Sequence, residues 1–488
     1  MIPNEKDDNN NKHESTNLLD SEIPVGSMEQ SNLTLTNIDL ARESTLDDTE
    51  YVYSKELNTK GNKRSMFWLI SVFSSTGQFF FGNFFSAFAA EVGVSGALMG
   101  FITSVRNLFS SIFQGFIGFL SDRIGRKFIM LLGIFFNFAI TVPLIFYQSR
   151  GLIVAIAIIQ ALSLSVFTPA WNAVLGDVTR PEFRATFIGK ITSIGRLLSV
   201  VFSIVIAVVF FLCGEDGPLY GRIIWGWTVD IPWRTQYSIA FAIAAINSLI
   251  CSIIIFFMKE TRSLETEIKR PQFRIAFKET KFMKFVVFYS LFGFSMSFIW
   301  PVNPMVQVNV LDMEFYQIAI VVSVFIITMS IVQVLAGILG DRFGRKPVSI
   351  IGAFFLVLYP ISMLPSIITG KWEWLILGNV IAGFGTGTFF VTLNALTLDM
   401  APDNLMGAYS GVREMFWGIA TFIGSLSAGF IVDALDANYG LHNAAIIMSV
   451  GVTILRLLMA FGLFFVTESL PKETREKRMN GFNNKSTK

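Results

Sequence analysis

Between Met66 and Val466 the chain alternates long apolar runs with short polar breaks, and twelve of the runs come near the ~20 residues that a helix needs to cross a hydrocarbon core of about 30 Å. They fall near 66–90, 95–120, 128–148, 151–174, 186–212, 236–258, 284–310, 316–339, 348–369, 373–397, 408–431 and 443–466. The pattern predicts an all-α membrane protein with a polar tail over 1–64, six helices over 65–258, a basic linker over 259–283, six more helices over 284–467 and a short tail over 468–488.

Composition agrees, since 52% hydrophobic and only 15% charged residues leave too little polar cover for a soluble globule. The first tail is rich in Asn, Asp, Glu, Ser and Thr and cannot bury enough apolar surface to fold, which predicts disorder. It is too polar for a signal peptide, so the first helix is expected to act as the insertion signal. Within it Glu14, Leu18 and Leu19 fit an acidic dileucine sorting pattern, one short enough to arise by chance.

Lys and Arg crowd one set of loops and leave Arg150, Arg222, Arg234 and Lys371 on the other, so the positive-inside rule puts both termini in the cytoplasm. The linker, with Arg270, Arg274, Lys278 and Lys281, is a basic stretch suited to anionic lipid. A net charge of +2 with no basic domain outside the membrane gives no support for nucleic-acid binding. Cys213 and Cys251 suggest neither a disulfide framework nor a metal site. No nucleophile–base pair, nucleotide-binding glycine loop or metal cluster is visible, so neither an enzyme nor an ATP-driven pump is expected, and no cofactor.

The decapeptide GFLSDRIGRK at 118–127 returns as GILGDRFGRK at 337–346, 219 residues later. Asn172, Ala173 and Asp177 likewise return as Asn394, Ala395 and Asp399, and LysGluThrArg occurs at both 259–262 and 472–475. The repeat resembles the Gly-x-x-x-Asp-Arg-x-Gly-Arg-Lys loop of the major facilitator superfamily of secondary transporters. That resemblance implies twelve transmembrane helices in two pseudo-symmetric six-helix bundles, moving a small-molecule substrate by alternating access, as a monomer in the lipid bilayer. Protons are the candidate coupling ion and the plasma membrane the expected location.

By the same resemblance Gly118, Asp122, Arg123, Gly125, Arg126 and Lys127, with Gly337, Asp341, Arg342, Gly344, Arg345 and Lys346, form a gating motif. Gly118 and Gly337 would permit close helix contact, and Gly125 and Gly344 sharp turns. Asp122 and Asp341 would cap helix starts in the opposite half, Asp122 near Arg413 and Asp341 near Arg184 or Lys190. A purely topological role for the basic residues would leave the repeated Asp and Gly unexplained.

Ionisable groups at membrane depth cost at least about 2.5–3.5 kcal/mol each and need a reason. Arg106 and Arg196 both fall roughly 16 Å into their helices, near the midplane. They share faces with polar residues, Thr103, Ser110 and Gln114 in one case and Ser193, Ser199 and Ser203 in the other, and both stripes are expected to face water. Either the two arginines form a positive cavity for an anionic substrate, or carboxylates or helix-end carbonyls neutralise them. Arg456, in a helix peripheral in the family, reads as snorkelling or structural.

Glu414 and Glu91 are the candidates for carrying a proton, with a structural pair to Arg413 the plainer reading of Glu414. Gln78, Asn83, Trp300 and Asn303 are candidate substrate-binding residues, and Pro301 and Pro304 should bend the seventh helix. The residues leave multidrug efflux of lipophilic compounds and a non-transporting solute sensor as alternatives.

Overall fold

The computed structural model describes residues 59–147, 149–179, 184–214, 217–224, 227–261, 273–402 and 405–468. The dileucine pattern, much of the basic linker, the second LysGluThrArg and the side chains of Gln114, Asp122 and Arg184 lie outside the described residues. Among those described, the chain forms twelve long helical spans: α1 (Arg64–Glu91), α2 (Gly96–Ile124), α3 (Arg126–Phe146), α4 (Arg150–Val178), α5 (Arg184–Cys213), α6 (Trp233–Phe257), α7 (Thr280–Val310), α8 (Phe315–Phe343), α9 (Arg345–Thr369), α10 (Trp374–Met400), α11 (Met406–Tyr439) and α12 (Leu441–Phe465). Ten qualify as membrane spans on length and apolar content alone. The other two, α1 and α2, are diluted by polar residues such as Gln78, Asn83, Arg106 and Asn107, several of which turn out to line a cavity. A two-residue antiparallel ribbon, Ile223–Ile224 with Trp227–Thr228, decorates the loop after α5.

The expected bend of α7 takes a specific form. An α-helix over Thr280–Ser297 gives way to a short one over Ile299–Met305 and then to a π-helix over Val306–Val310. Pro301 and Pro304 bring no amide hydrogen to the ladder, and the wider turn that follows lets the chain continue.

Each bundle is pinned at its decapeptide by the same parts. Gly125 (φ 124°) and Gly344 (φ 109°) turn the chain in a backbone region closed to other residues at little cost, so α3 and α9 start at once. Arg126 pairs with Asp177, and Arg345 Nε reaches Asp399 Oδ2 at 3.3 Å, so the repeated aspartates hold the repeated arginines. Glu260 accepts from the amides of Arg126 and Lys127 at 3.2 and 3.1 Å, and Glu468 from those of Arg345 and Lys346 at 3.0 and 2.9 Å. These carboxylates satisfy helix-start donors that have no intrahelical partner. Glu468 thus does for the second bundle what Glu260 does for the first.

The side of the molecule carrying these turns is here the motif side, and the opposite one the far side. On the far side one hydrophobic core runs through both bundles, with Phe84, Phe88, Phe210 and Tyr237 from the first and Phe315, Ile318 and Val432 from the second. Phe315 stacks on Phe84 at 4.2 Å and meets Phe210 and Tyr237 edge-on at 5.0 and 5.3 Å, contacts worth about 0.5–1.5 kcal/mol apiece beyond their buried area. On the motif side the core divides: Phe67, Ile134, Phe167 and Val174 belong to a cluster drawn from the first bundle, and Phe285, Phe292, Phe389 and Tyr409 to one drawn from the second.

The far-side closure is tightest where α2 crosses α11. A Cβ on Gly100 would stand 2.5 Å from the Ser425 carbonyl oxygen, and one on Gly429 2.3 Å from that of Gly96, so the backbones touch where side chains cannot fit. Asp433 accepts from the amides of Gly96 and Ala97 at 2.6 and 2.9 Å, capping α2 from the other bundle.

Candidate functional site

Below the far-side core lies a cavity in two chambers. The larger, about 310 Å³, is walled mainly by the second bundle, with Trp300, Asn303 and Gln307 on α7, Tyr359 on α9, Asn379 and Thr386 on α10 and Arg456 on α12; Gly82, Asn83 and Ser86 of α1 complete it. The smaller, about 240 Å³, lies in the first bundle among Phe85, Thr103, Arg106, Asn107, Ala157 and Gln160. Ser86 and Trp300 border both chambers, one from each bundle.

Polar atoms of the larger chamber are partly spoken for. The Tyr359 hydroxyl donates to Asn303 Oδ1 at 3.1 Å, while Asn83 and Asn379 donate to carbonyls one turn back, of Phe79 and Leu375, both at 2.9 Å. Arg456, 1% exposed, donates from Nη1 to the Leu356 carbonyl at 2.5 Å and from Nη2 to that of Met296 at 2.9 Å, tying α12 to α9 and α7. Its charge is met by peptide dipoles rather than by an acid.

The smaller chamber is different. Arg106 makes no hydrogen bond or ion pair with any described residue, and the buried Gln160 leaves Nε2 without a partner. Glycine at 82 makes room for the guanidinium, since a Cβ there would lie 3.1 Å from Arg106 Nη2.

The sequence candidates therefore separate. Asn83, Trp300, Asn303 and Arg106 come together around one cavity. Gln78 lines neither chamber; at helical spacing it falls on the face of Gly82 and Ser86, toward the motif side. Arg196 also stands apart, exposed on α5. It shares an arc with Val200, Ser203 and Ala207, which are buried further along toward the far side, so the cover they enjoy is missing at its own depth. Ser199 and Ser203 do not form a wet stripe with it. Both are 0% exposed, and Ser199 Oγ meets Thr76 Oγ1 of α1 at 3.2 Å.

Glu414 pairs with its neighbour Arg413, whose Nη1 also donates to Thr397 Oγ1 at 2.9 Å, and Glu91 ends α1 on the far side, across from Asp312 of the other bundle. Asp341 pairs with Arg345 of its own motif at 2.6 Å. Arg413 bonds within its own bundle, and the side chains of Asp122 and Arg184, named for the cross-bundle contacts, lie outside the described residues. Among the described residues Gly337 meets Val391, at 3.9 Å from a would-be Cβ, an ordinary contact in this conformation. Arg342 lies over the Phe343 ring, Lys127 over that of Phe256, and Lys346 Nζ donates to the Phe464 carbonyl at 2.6 Å; Arg123 is exposed, and Gly118 lies in α2.

Gly82, Ser86, Gln160, Tyr359, Asn379 and Thr386 are lining residues that sequence reasoning passed over. The available signal was an isolated polar residue in an apolar run, as with Gln160 and Asn379, but its orientation depends on how the helices are turned against each other.

A family model described as Major Facilitator Superfamily matches residues 67–298 and again 285–486. The niacin transporter NiaP of Acinetobacter baylyi is 28% identical over 26% of this chain and 27% of its own, so the chain spans about a quarter of that relative's length. Multidrug resistance protein 2 of Bacillus subtilis is 24% identical over 75% of this chain and 87% of its own. A solved bacterial homologue of the human lysosomal transporter Spinster, in an inward-facing and occupied conformation, superposes with a TM-score of 0.63 at 16% identity over 83% of this chain and 97% of that one. The family model matches once per bundle, in step with the repeated decapeptide and the two sets of six spans: the chain belongs to the Major Facilitator Superfamily of secondary transporters, integral membrane proteins.

Proposed function

We propose that the protein carries a small organic solute, with acidic solutes favoured, across the plasma membrane by rocking its two bundles about the shared cavity. The observation that carries this reading is a cavity walled by both bundles that lies under a core joined, among the described residues, on the far side only. A solute site at the interface of two repeats, exposed first to one side and then to the other, is how such folds transport. Crowding of Lys and Arg on the motif side supports placing that side and both termini in the cytoplasm, with this conformation facing inward. The inward-facing Spinster homologue is in keeping with that orientation.

Binding falls to Trp300, Asn303, Asn83 and Arg106, and gating to Asp122 and Asp341 with the glycines and basic residues of the two decapeptides. Protons are the proposed coupling ion, with Glu91 and Glu414 as candidate carriers. The chain's likeness to a multidrug resistance protein over most of its length favours efflux of lipophilic compounds as the second reading.

Solute counterflow into proteoliposomes holding the full-length protein separates the two. Uptake of hydrophilic organic acids that Asn303→Ala and Arg106→Gln both abolish is the expected result. Export of a lipophilic dye untouched by either substitution would establish efflux instead.

A further inference from the structure

The smaller chamber offers two sets of unused donors side by side. Arg106 presents a guanidinium bonded to no described residue, and Gln160, 1% exposed, presents an Nε2 without an acceptor. A buried amide donor is normally satisfied, so Gln160 Nε2 left open on the chamber that the Arg106 guanidinium also lines marks the place of an acceptor from outside the chain. A carboxylate matches it: it accepts only, carries the opposite charge, and has two oxygens that a guanidinium can grip in parallel while an amide donor takes a remaining lone pair.

The rest of the cavity limits the ligand further. The larger chamber is polar but uncharged where it is free, through Asn303, Tyr359, Asn379 and Gln307, and its own cation, Arg456, is already held by two carbonyls. A second anionic group there would find no free cation among the described residues. Trp300 stands between the chambers with a broad apolar face that a planar group could stack on.

Resting on the reading of this cavity as the solute site, we propose that its ligand is an organic monocarboxylate, its carboxylate held by Arg106 and Gln160 and its neutral, polar, planar body passing Trp300 into the Asn303–Tyr359 chamber. Gln160 is the new specificity determinant: it gives the acid end a second donor that a neutral amide end would meet with one of its own N–H groups.

The test measures melting of the purified full-length protein with benzoate, 4-hydroxybenzoate and phenylacetate, their amides, and the dianion isophthalate. Upward shifts are expected with at least one monocarboxylate and not with its amide or with isophthalate. The shift should vanish in Arg106→Gln and need about tenfold more ligand in Gln160→Leu, the loss of one charge-assisted hydrogen bond. Arg106→Lys, which keeps the charge without the fork, should recover part of it and shows that the position tolerates substitution.

Equal shifts with acids and amides, preference for isophthalate, or an unchanged shift in Arg106→Gln overturns the proposal. If amides alone stabilise and Asn303→Ala removes their effect, the cavity remains the solute site and the carboxylate assignment falls. If no compound shifts the wild-type protein, the assignment to planar monocarboxylates falls with it, and counterflow decides the site on its own.

Discussion

Arg456 and Arg106 are two guanidiniums on one cavity with opposite bookkeeping. Arg456 donates to the carbonyls of Leu356 and Met296, so its removal orphans two acceptors in an apolar wall. Arg456→Leu is therefore expected to lower stability by about 1–3 kcal/mol per orphaned carbonyl, read as a fall in the detergent melting temperature. An unchanged melt would mean that the carbonyls find other donors. Arg106 has no such debt to the fold, and the space it occupies exists because residue 82 is glycine. Gly82→Val should push the guanidinium aside and weaken solute binding at least about tenfold while the melting curve of the free protein moves little, a split that calorimetric titration and melting together would reveal. Sequence reading could find Arg106, since one arginine in an apolar run is conspicuous. It could mark Gln160 as polar in an apolar run but could not place it or Tyr359, whose value depends on which neighbour faces them. For the same reason it misjudged Ser199 and Ser203, only a turn or two from Arg196 yet both buried, Ser199 against Thr76 of α1.

At the scale of elements, hydropathy marked the spans closely because the membrane thickness fixes their length, except that α11 runs past the apolar stretch to Tyr439, and the glycines of the two decapeptides marked their sharpest turns. What it could not show is which helix end meets which. Asp433 reads in the sequence as an acid near the end of the eleventh run, yet it caps the start of α2 from the other bundle, and Gly96, Gly100 and Gly429 bring the two backbones into touch beside it. Gly100→Leu leaves no room for that crossing and should separate the bundles on the far side. Spin labels at Gly151→Cys on α4 and His442→Cys on α12, both exposed, report the separation once Cys213 and Cys251 are replaced. A longer and broader distance distribution is expected; an unaltered one would show that the crossing does not hold the far side shut.

For the whole molecule, the two faces are closed by unequal means in this conformation. The far side has a shared aromatic core, touching backbones and the Asp433 clamp, whereas on the motif side the cores are separate and charges such as Asp341, Arg345, Arg126 and Asp177 are paired within their own bundle. A rocker works only if its two states lie within a few kcal/mol of each other, so contacts made when the motif side closes must offset those lost on the far side. Asp122 and Asp341 are the residues we propose for that task, by doing on the motif side what Asp433 does opposite. Each hydrogen bond to a charged group is worth about 1.5–3 kcal/mol, which corresponds to about a tenfold to hundredfold change in the ratio of states. Asp433→Asn should then raise the far-side-open population and Asp122→Asn lower it, and the double variant should return toward the wild-type ratio because the two losses oppose. The far-side labels, with a second pair at Gly176→Cys and Gly407→Cys on the motif side, measure both openings in one protein. If Asp122→Asn changes neither distance nor flux, Asp122 is not the counterpart of Asp433, and the motif-side closure must be sought in Asp341 or in the basic residues of the loops.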